Sequence, residues 1–408
     1  MSTFEVTQPA ASAAGMASTD IRDSASGTTA AMFLRPAAAE RPTPYIEVDD
    51  KRLTRNIKAM QQRADAAGVV MFPHVKTHKS LHIARQQLAA GARGITASKP
   101  SEALVFAEAE IPSIILAYPI VHAASLDRLL PAVKARGVEL RAIAASQTGV
   151  DALSQAASRH GIEIGVFLKV DVGLGRVGLK PDDPAAPELC ASIAGAPGLR
   201  FSGLLSHAGH AYAAPEPHAL AKIAHDEAEA LAGLAERLRQ RGIAVDCISV
   251  GATPTCLGAP LPRGVDCIRP GNYVFLDGTA LRLGICTADD LALSVVARVV
   301  ASNEAHFIID AGSKSMSSDR GAHGMGGAGF GTVVSAEGDG ETGRWTLERL
   351  SEEHGFVPHS GRALPLGSRV RVFPNHSCAS IANFDNFVLA RADGTAASLP
   401  VDARNGQT

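Results

Sequence analysis

Short apolar runs alternate with amphipathic stretches from Val69 onward. Runs near Val69–Phe72, Gly94–Ala97, Ser113–Ala117, Glu139–Ala144, Glu163–Val170, Arg200–Leu205, Ala244–Val250 and Asp266–Ile268 have the length of buried strands. Between them Ser101–Glu110, Leu126–Ala135, Val150–Arg159 and His218–Arg241 carry apolar residues at helical spacing. This alternation predicts a (β/α)8 barrel over residues 41–283. A doubly wound sheet is the alternative, and the first strand is followed by no Gly-x-Gly-x-x-Gly, which weighs against it. Ahead of the barrel, Pro44 introduces an extended segment, Tyr45–Val48, and Asp49-Asp50 are placed to cap a helix carrying Leu53, Ile57 and Met60.

Helical periodicity nearly vanishes after Leu283. Leu291–Val300, Ala305–Asp310, Arg344–Leu350, Ser368–Phe373 and Asn386–Ala390 read as strands, with glycine-rich turns such as Gly324–Gly331 between them. A mainly β domain over 284–408 is therefore expected. Residues 1–40, rich in Ala, Ser and Thr, lack a charged start followed by an apolar core, so a disordered tail is expected rather than a secretory signal. Glu5, Asp20 and Asp23 argue against a transit peptide, which leaves a cytoplasmic location as the expectation.

Composition narrows the partners. The 408 residues are 46% hydrophobic and 20% charged, with a formal net charge of −2. That suits a globular enzyme and disfavours nucleic acid and membrane as partners. No apolar run reaches the ~18 residues of a membrane span. Cys190, Cys247, Cys256, Cys267, Cys286 and Cys378 include no Cys-x-x-Cys pair and read as reduced thiols, at most one of them a ligand.

The candidate chemistry starts with Phe72-Pro73-His74-Val75-Lys76-Thr77-His78-Lys79, immediately after the first barrel strand. Barrel enzymes place their chemistry at such strand ends. Neighbouring cations lower a lysine's pKa and leave more free amine for Schiff-base formation, although a basic solvated turn has the same composition. The loops after strands seven and eight, Gly251-Ala252-Thr253 and Gly271-Asn272, offer small residues whose backbone N–H groups can approach a phosphate; ordinary turns look the same. With a strand-end lysine, they point to a phosphate-bearing aldehyde, pyridoxal 5'-phosphate. In the β domain His376 and Cys378 stand at i and i+2, on one face if the chain is extended, and imidazole plus thiolate suits Zn²⁺. By spacing alone that pair also arises by chance.

Six segments in order carry a resemblance. They are Pro73-His74-Val75-Lys76-Thr77-His78-Lys79, Asp171-Val172-Gly173, Arg269-Pro270-Gly271-Asn272-Tyr273, Asp310-Ala311-Gly312-Ser313-Lys314, Ser351-Glu352-Glu353-His354-Gly355 and Pro374-Asn375-His376-Ser377-Cys378. From Thr43 to Arg404 the chain resembles the D-serine dehydratase / D-threonine aldolase family, of alanine racemase-like architecture (fold type III). The resemblance implies Lys76 as the Schiff-base lysine and His376 and Cys378 as ligands of a catalytic divalent metal, Zn²⁺ or Mn²⁺. It implies cofactor contacts from Tyr212, Thr253, Gly271 and Asn272, with Arg176 and His207 near the ring, in a homodimer. Phe72 stands where the family usually has Arg, which would alter ring electronics or substrate charge if that arginine served either, and Ala252 stands where many members have Ser.

The implied reaction is attack on a D-3-hydroxy amino acid. In a dehydratase Lys76 takes the α-proton and the metal helps the β-hydroxyl leave, giving a 2-oxo acid and ammonia. In an aldolase the same hydroxyl loses its proton and the Cα–Cβ bond breaks, giving glycine and an aldehyde. The His207-Ala208-Gly209-His210-Ala211-Tyr212 loop and the His-x-Cys pair look more like the dehydratase members. A racemase would need a second base, often a β-domain tyrosine, and no tyrosine follows Tyr273. A non-catalytic carrier of the cofactor would need neither β domain nor metal pair. Glu352, Glu353 and His354 read as metal support or as a solvated turn, and Asp310 and Lys314 as turn stabilisers.

Overall fold

Eight apolar runs hydrogen-bond in parallel to make the first sheet of the computed structural model, which describes residues 41–322, 327–336, 343–361 and 363–408. The expected tail, 1–40, and part of the Gly324–Gly331 turn lie outside the described residues. The strands are Val70–Met71, Ile95–Ala97, Ser113–Pro119, Glu139–Ala144, Ile164–Lys169, Leu199–Leu205, Ile248–Val250 and Cys267–Ile268, and the first lies beside the eighth. Between the first and second strands closure rests on a single bridge, His74 to Thr96, helped by Thr96 N–H to Pro73 O at 2.8 Å and Thr96 Oγ1 to Phe72 O at 2.7 Å. Pro73 has no N–H to give the ladder, so the strand ends there.

Alternation along each strand sorts the side chains. Phe72, Ile115, Ile143, Phe167, Leu205 and Cys267 form one buried cluster inside the barrel. Their neighbours Ile114, Leu116, Ala142, Ala144, Val166, Leu168 and Leu204 join the core beneath the helices. The helices begin where polar caps allow. The Asp49 carboxylate accepts from Arg52 N–H at 2.9 Å to start Asp50–Ala66, and Ser146 starts Gln147–His160.

The second sheet contains a strand that the sequence order places ahead of the barrel. Tyr45–Asp49 pairs antiparallel with Leu293–Ser302 (Ile46 opposite Val295) and parallel with Asn386–Ala390 (Ile46 opposite Phe387). A division at 41–283 and 284–408 thus cuts through one ladder. Tyr45, Ile46 and Val48 are buried and need neighbours on both sides, which periodicity cannot choose from about 250 residues away. Arg369–Pro374, Gly331–Ser335, Arg344–Thr346 and Ala396–Pro400 extend this sheet, and His306–Ile309, Gly355–Pro358 and Arg349–Leu350 branch from it. The expected strand Arg344–Leu350 is therefore two strands. All six cysteines are free. Among the described residues no helix is long and apolar enough to cross a membrane.

Candidate active site

Lys76 sits on one 3-10 turn, Val75–Thr77, whose first N–H groups are capped by the His74 ring: Nδ1 accepts from Lys76 N–H at 3.4 Å. The four nitrogen side chains of this stretch do not crowd together. His78 and Lys79 are buried elsewhere, His78 Nε2 sharing a hydrogen with Gln87 Oε1 at 3.2 Å and Lys79 pairing with Glu102 at 2.6 Å. Lys79 also donates to the carbonyls of Ala403 and Gly406 at 3.3 and 3.4 Å. His74 and Lys76 remain at the barrel mouth. Burial lowers the Lys76 pKa below its usual value against the opposing thiolate of Cys378, and the Arg176 cation adds to the lowering. The lowering comes from burial and Arg176, not from the adjacent motif residues.

A cavity of about 370 Å³ opens over this turn, within the ordinary range for small-molecule sites. All nine residues singled out in the sequence line it: Lys76, Arg176, His207, Tyr212, Thr253, Gly271, Asn272, His376 and Cys378. Loops after the first, fifth, sixth, seventh and eighth strands supply the first seven, and the β domain supplies the last two. His207 Nδ1–H donates to Gly251 O at 2.9 Å. Burial, with Lys76 beside it, holds the His207 pKa well below 6.5, so the ring is neutral. Burial likewise keeps the Tyr212 phenol protonated, and a hydrogen bond joins it to Thr253. The backbone N–H of Ala252, expected to face a phosphate, points to Thr255 Oγ1 at 3.3 Å.

His376 and Cys378 come together through a turn, not along an extended face. The strand stops at Pro374, His376 caps the helix Ser377–Ile381, and Cys378 lies in its first turn. Cys378 Sγ reaches Thr77 Oγ1 at 3.3 Å, beside Lys76. His376 Nδ1 meets Asp319 Oδ2 at 3.0 Å. Burial opposes charge on both, yet the Cys378 thiolate, Asp277 and Asp319 raise His376 to about 9, and His376 in turn lowers Cys378. Each group thus favours the charged form of the other, which moves the sulfur toward its metal-binding thiolate form. Among the described residues no group of three or more His, Cys, Asp or Glu side chains could hold a metal. Among the described residues a metal here would find two protein ligands, His376 and Cys378.

Three carboxylates and an arginine escaped the sequence reading. Arg269 is buried under the cavity and donates to Ser206 O, Ser249 Oγ and Val250 O, tying three loops together. Glu227 accepts from Ser206 Oγ at 2.5 Å and Ala208 N–H at 3.1 Å. Its signal was readable, a charge within the apolar stripe Leu220, Ala224, Ala228 and Leu231. Asp277 and Asp319 had no such signal, being loop residues that act across the fold. Phe72 is buried in the barrel interior with the Arg141 guanidinium 5.5 Å from its ring centre, and it does not line the cavity. Glu352, Glu353 and His354 do not line it either, and Glu353 instead pairs with Lys314 at 2.5 Å. Asp310 accepts from Thr43 Oγ1 at 2.5 Å and from Arg298 N–H at 2.7 Å.

A barrel-mouth lysine facing an imidazole–thiolate pair carried by a β domain defines a fold type III pyridoxal phosphate-dependent lyase. Comparison with known proteins agrees. Residues 48–278 match the alanine racemase N-terminal domain, and 292–390 match a serine dehydratase domain. The chain is 36% identical to the D-threo-3-hydroxyaspartate dehydratase of Delftia sp. (strain HT23), over 86% of this chain and 95% of that one. A solved structure of that relative superposes with a TM-score of 0.83 at 34% identity, covering 90% and 99% of the two chains. Another solved structure of it is a cysteine-to-alanine variant in the metal-free form. D-serine dehydratase of Dictyostelium discoideum is 29% identical (86% and 94% covered), and D-threonine aldolase of Arthrobacter sp. 31% (86% and 89%). The chain belongs to the D-serine dehydratase / D-threonine aldolase family.

Proposed function

We propose that the protein dehydrates a D-3-hydroxy amino acid to a 2-oxo acid and ammonia, with pyridoxal 5'-phosphate and a zinc ion. The observation that carries this reading is the single cavity in which Lys76 and the His376/Cys378 pair meet. The donor set suits the cofactor. Lys76, Arg176 and Arg269 line the cavity, and among its described lining residues none is a carboxylate, as a phosphate dianion requires. First-turn N–H groups of Thr253 and Asn272 add backbone donors. Imidazole plus thiolate favours zinc over harder cations.

Bound there, pyridoxal phosphate supplies an electron sink for the α-carbon and the metal a Lewis acid for the β-hydroxyl. Lys76 would hold the cofactor aldehyde, and its Nζ, whose pKa burial lowers, would be the group that accepts the α-proton. His207, neutral and fixed through Gly251 O, would face the cofactor without adding charge. Asp319 holds the His376 Nδ1–H, so a metal would take Nε2 in place of the proton that this nitrogen carries in the metal-free ring. The 36% identity to a named 3-hydroxyaspartate dehydratase favours loss of the hydroxyl over cleavage of Cα–Cβ. A homodimer in the cytoplasm accompanies this reading, and sedimentation would report the assembly.

Purified protein with pyridoxal phosphate and Zn²⁺, or Mn²⁺ in parallel, would be offered D-serine, D-threonine and D-threo-3-hydroxyaspartate. Ammonia with a 2-oxo acid supports the dehydratase. Glycine with an aldehyde replaces it by the aldolase. Lys76→Ala should lose both turnover and the visible absorbance of bound cofactor, and a Lys76→Ala protein that keeps both would remove Lys76 from its role.

A further inference from the structure

The barrel mouth and the β domain meet at one buried carboxylate. Asp277 is 1% exposed and caps the helix Gly278–Arg282, Oδ1 accepting from Ala280 N–H at 3.1 Å. Its other oxygen serves two loops at once. Oδ2 accepts from Asn272 Nδ2 at 2.7 Å, on the loop after the eighth strand, and from Ser377 N–H at 3.1 Å, between His376 and Cys378. Ser377 Oγ closes the ring by donating to Asn272 Oδ1 at 2.6 Å. Thr279 adds two bonds to Asn375 O, from its N–H at 3.2 Å and its Oγ1 at 2.7 Å. Gly278 permits the approach, since a Cβ there would lie 2.5 Å from Asn375 Oδ1 and 3.1 Å from Asn375 Cα.

Starting a five-residue helix needs only the Ala280 bond. The remaining bonds join two loops that come from different sheets. Asn272 is held at both ends of its amide, accepting from Ser377 and donating to Asp277, so it cannot rotate without breaking two buried hydrogen bonds. A bond lost among such buried groups leaves a donor or acceptor unpaired, and the bonds to the carboxylate are of the charge-assisted kind. Any shift of Ser377 that accompanies ligation by its two neighbours is therefore passed to Asn272, which lines the cofactor side of the cavity.

We propose that Asp277 is a positioning residue that couples the metal pair to the cofactor loop, so that filling either site tightens the other. The coupling rests on the assignment of Lys76 to the cofactor and of His376 and Cys378 to the metal. By linkage, the factor by which the cofactor improves metal affinity equals the factor by which metal improves cofactor affinity.

The test uses the full chain. Zn²⁺ affinity is measured against a chelating dye in cofactor-loaded protein and in protein stripped of pyridoxal phosphate. Cofactor retention is followed by absorbance with and without Zn²⁺. The wild type should bind Zn²⁺ about tenfold more tightly when loaded, with a matching factor for the cofactor. Asp277→Asn keeps the side-chain shape but must turn an amide N–H₂ toward one donor, so the coupling factor should fall to about one. Ser377→Ala removes one hydroxyl, leaves the carboxylate bonded to Asn272 and Ser377 N–H, and should lower the factor about threefold even if Asp277→Asn does not fold. A wild-type factor of about one overturns the proposal. So does an undiminished factor in both variants, even with weaker absolute affinities, because Asp277 would then serve only the general fold. Wild-type protein that binds neither Zn²⁺ nor cofactor would overturn the functional assignment itself, and that result is read before any coupling is compared.

Discussion

Replacing Lys79 with methionine separates the two lysines of the motif by their physical roles. Lys79 Nζ lies 2.6 Å from Glu102 Oε1, and the two side chains are 9% and 0% exposed. Removing one member of a buried pair strands the other charge, at a cost of about 3–5 kcal/mol. Glu102 keeps its bonds from Ser98 N–H at 2.6 Å and Ser98 Oγ at 3.0 Å, which places Lys79→Met near the lower end of that range. A loss of about 3 kcal/mol raises the unfolded-to-folded ratio roughly a hundredfold. The loss of the bonds to Ala403 and Gly406 should also loosen the C-terminal segment, which Lys79 O, Leu81 N–H and Ser101 still hold to the barrel. Adding Glu102→Gln removes the stranded charge while keeping an acceptor for Ser98, so the double variant should recover about 1 kcal/mol or more. Urea unfolding followed by circular dichroism measures both variants, and the cofactor absorbance of each should persist because Lys76 is untouched. A cost for Lys79→Met below about 1 kcal/mol, or a double variant no better than the single, would refute the assignment of Lys79 to a buried pair.

Asp319→Asn should weaken Zn²⁺ binding about 10–100-fold, since the carboxylate that orients His376 is lost while both ligands remain; an unchanged affinity in the dye competition would remove Asp319 from the metal site. Lys169 governs a pH effect: burial, reinforced by the Arg269 cation, lowers it from 10.5 to about 7. Between those values the unfolded chain holds more protons than the folded one, so the Lys169 contribution to stability is lowest below pH 7 and rises with pH across the window. Lys169→Met should flatten the rise of unfolding free energy between about pH 7 and pH 9 in cofactor-free protein, and an unaltered slope would contradict this account.

Much of the molecule was legible in the chain itself. The barrel strands follow from short apolar runs because a strand buried on both faces needs nothing but apolar side chains, and the eight runs fall where the strands do. Among the nine cavity residues, Lys76, Thr253, Gly271 and Asn272 were legible because barrel loops converge whatever their spacing in sequence, while Arg176, His207, Tyr212, His376 and Cys378 were read by resemblance. Chemistry that depends on one loop and its own strand could be read there.

What required the tertiary structure depends on contacts between distant segments. Tyr45–Asp49 shows an extended pattern, but only the folded chain seats it between Leu293–Ser302 and Asn386–Ala390. His78 and Lys79 resemble partners of Lys76 in sequence, yet the turn sends them to Gln87 and Glu102. Asp277 and Asp319 carry no local pattern, because a hydrogen bond is decided by where its partner lies and a partner 57 or 100 residues away leaves no periodic trace. The sequence by itself determined the elements and the chemical groups at the mouth. The tertiary structure decided which charges are exposed to the cavity, which are neutralised behind it, and how His376 and Cys378 are held against the loop after the eighth strand, because burial and distance set those interactions and neither is a property of one segment.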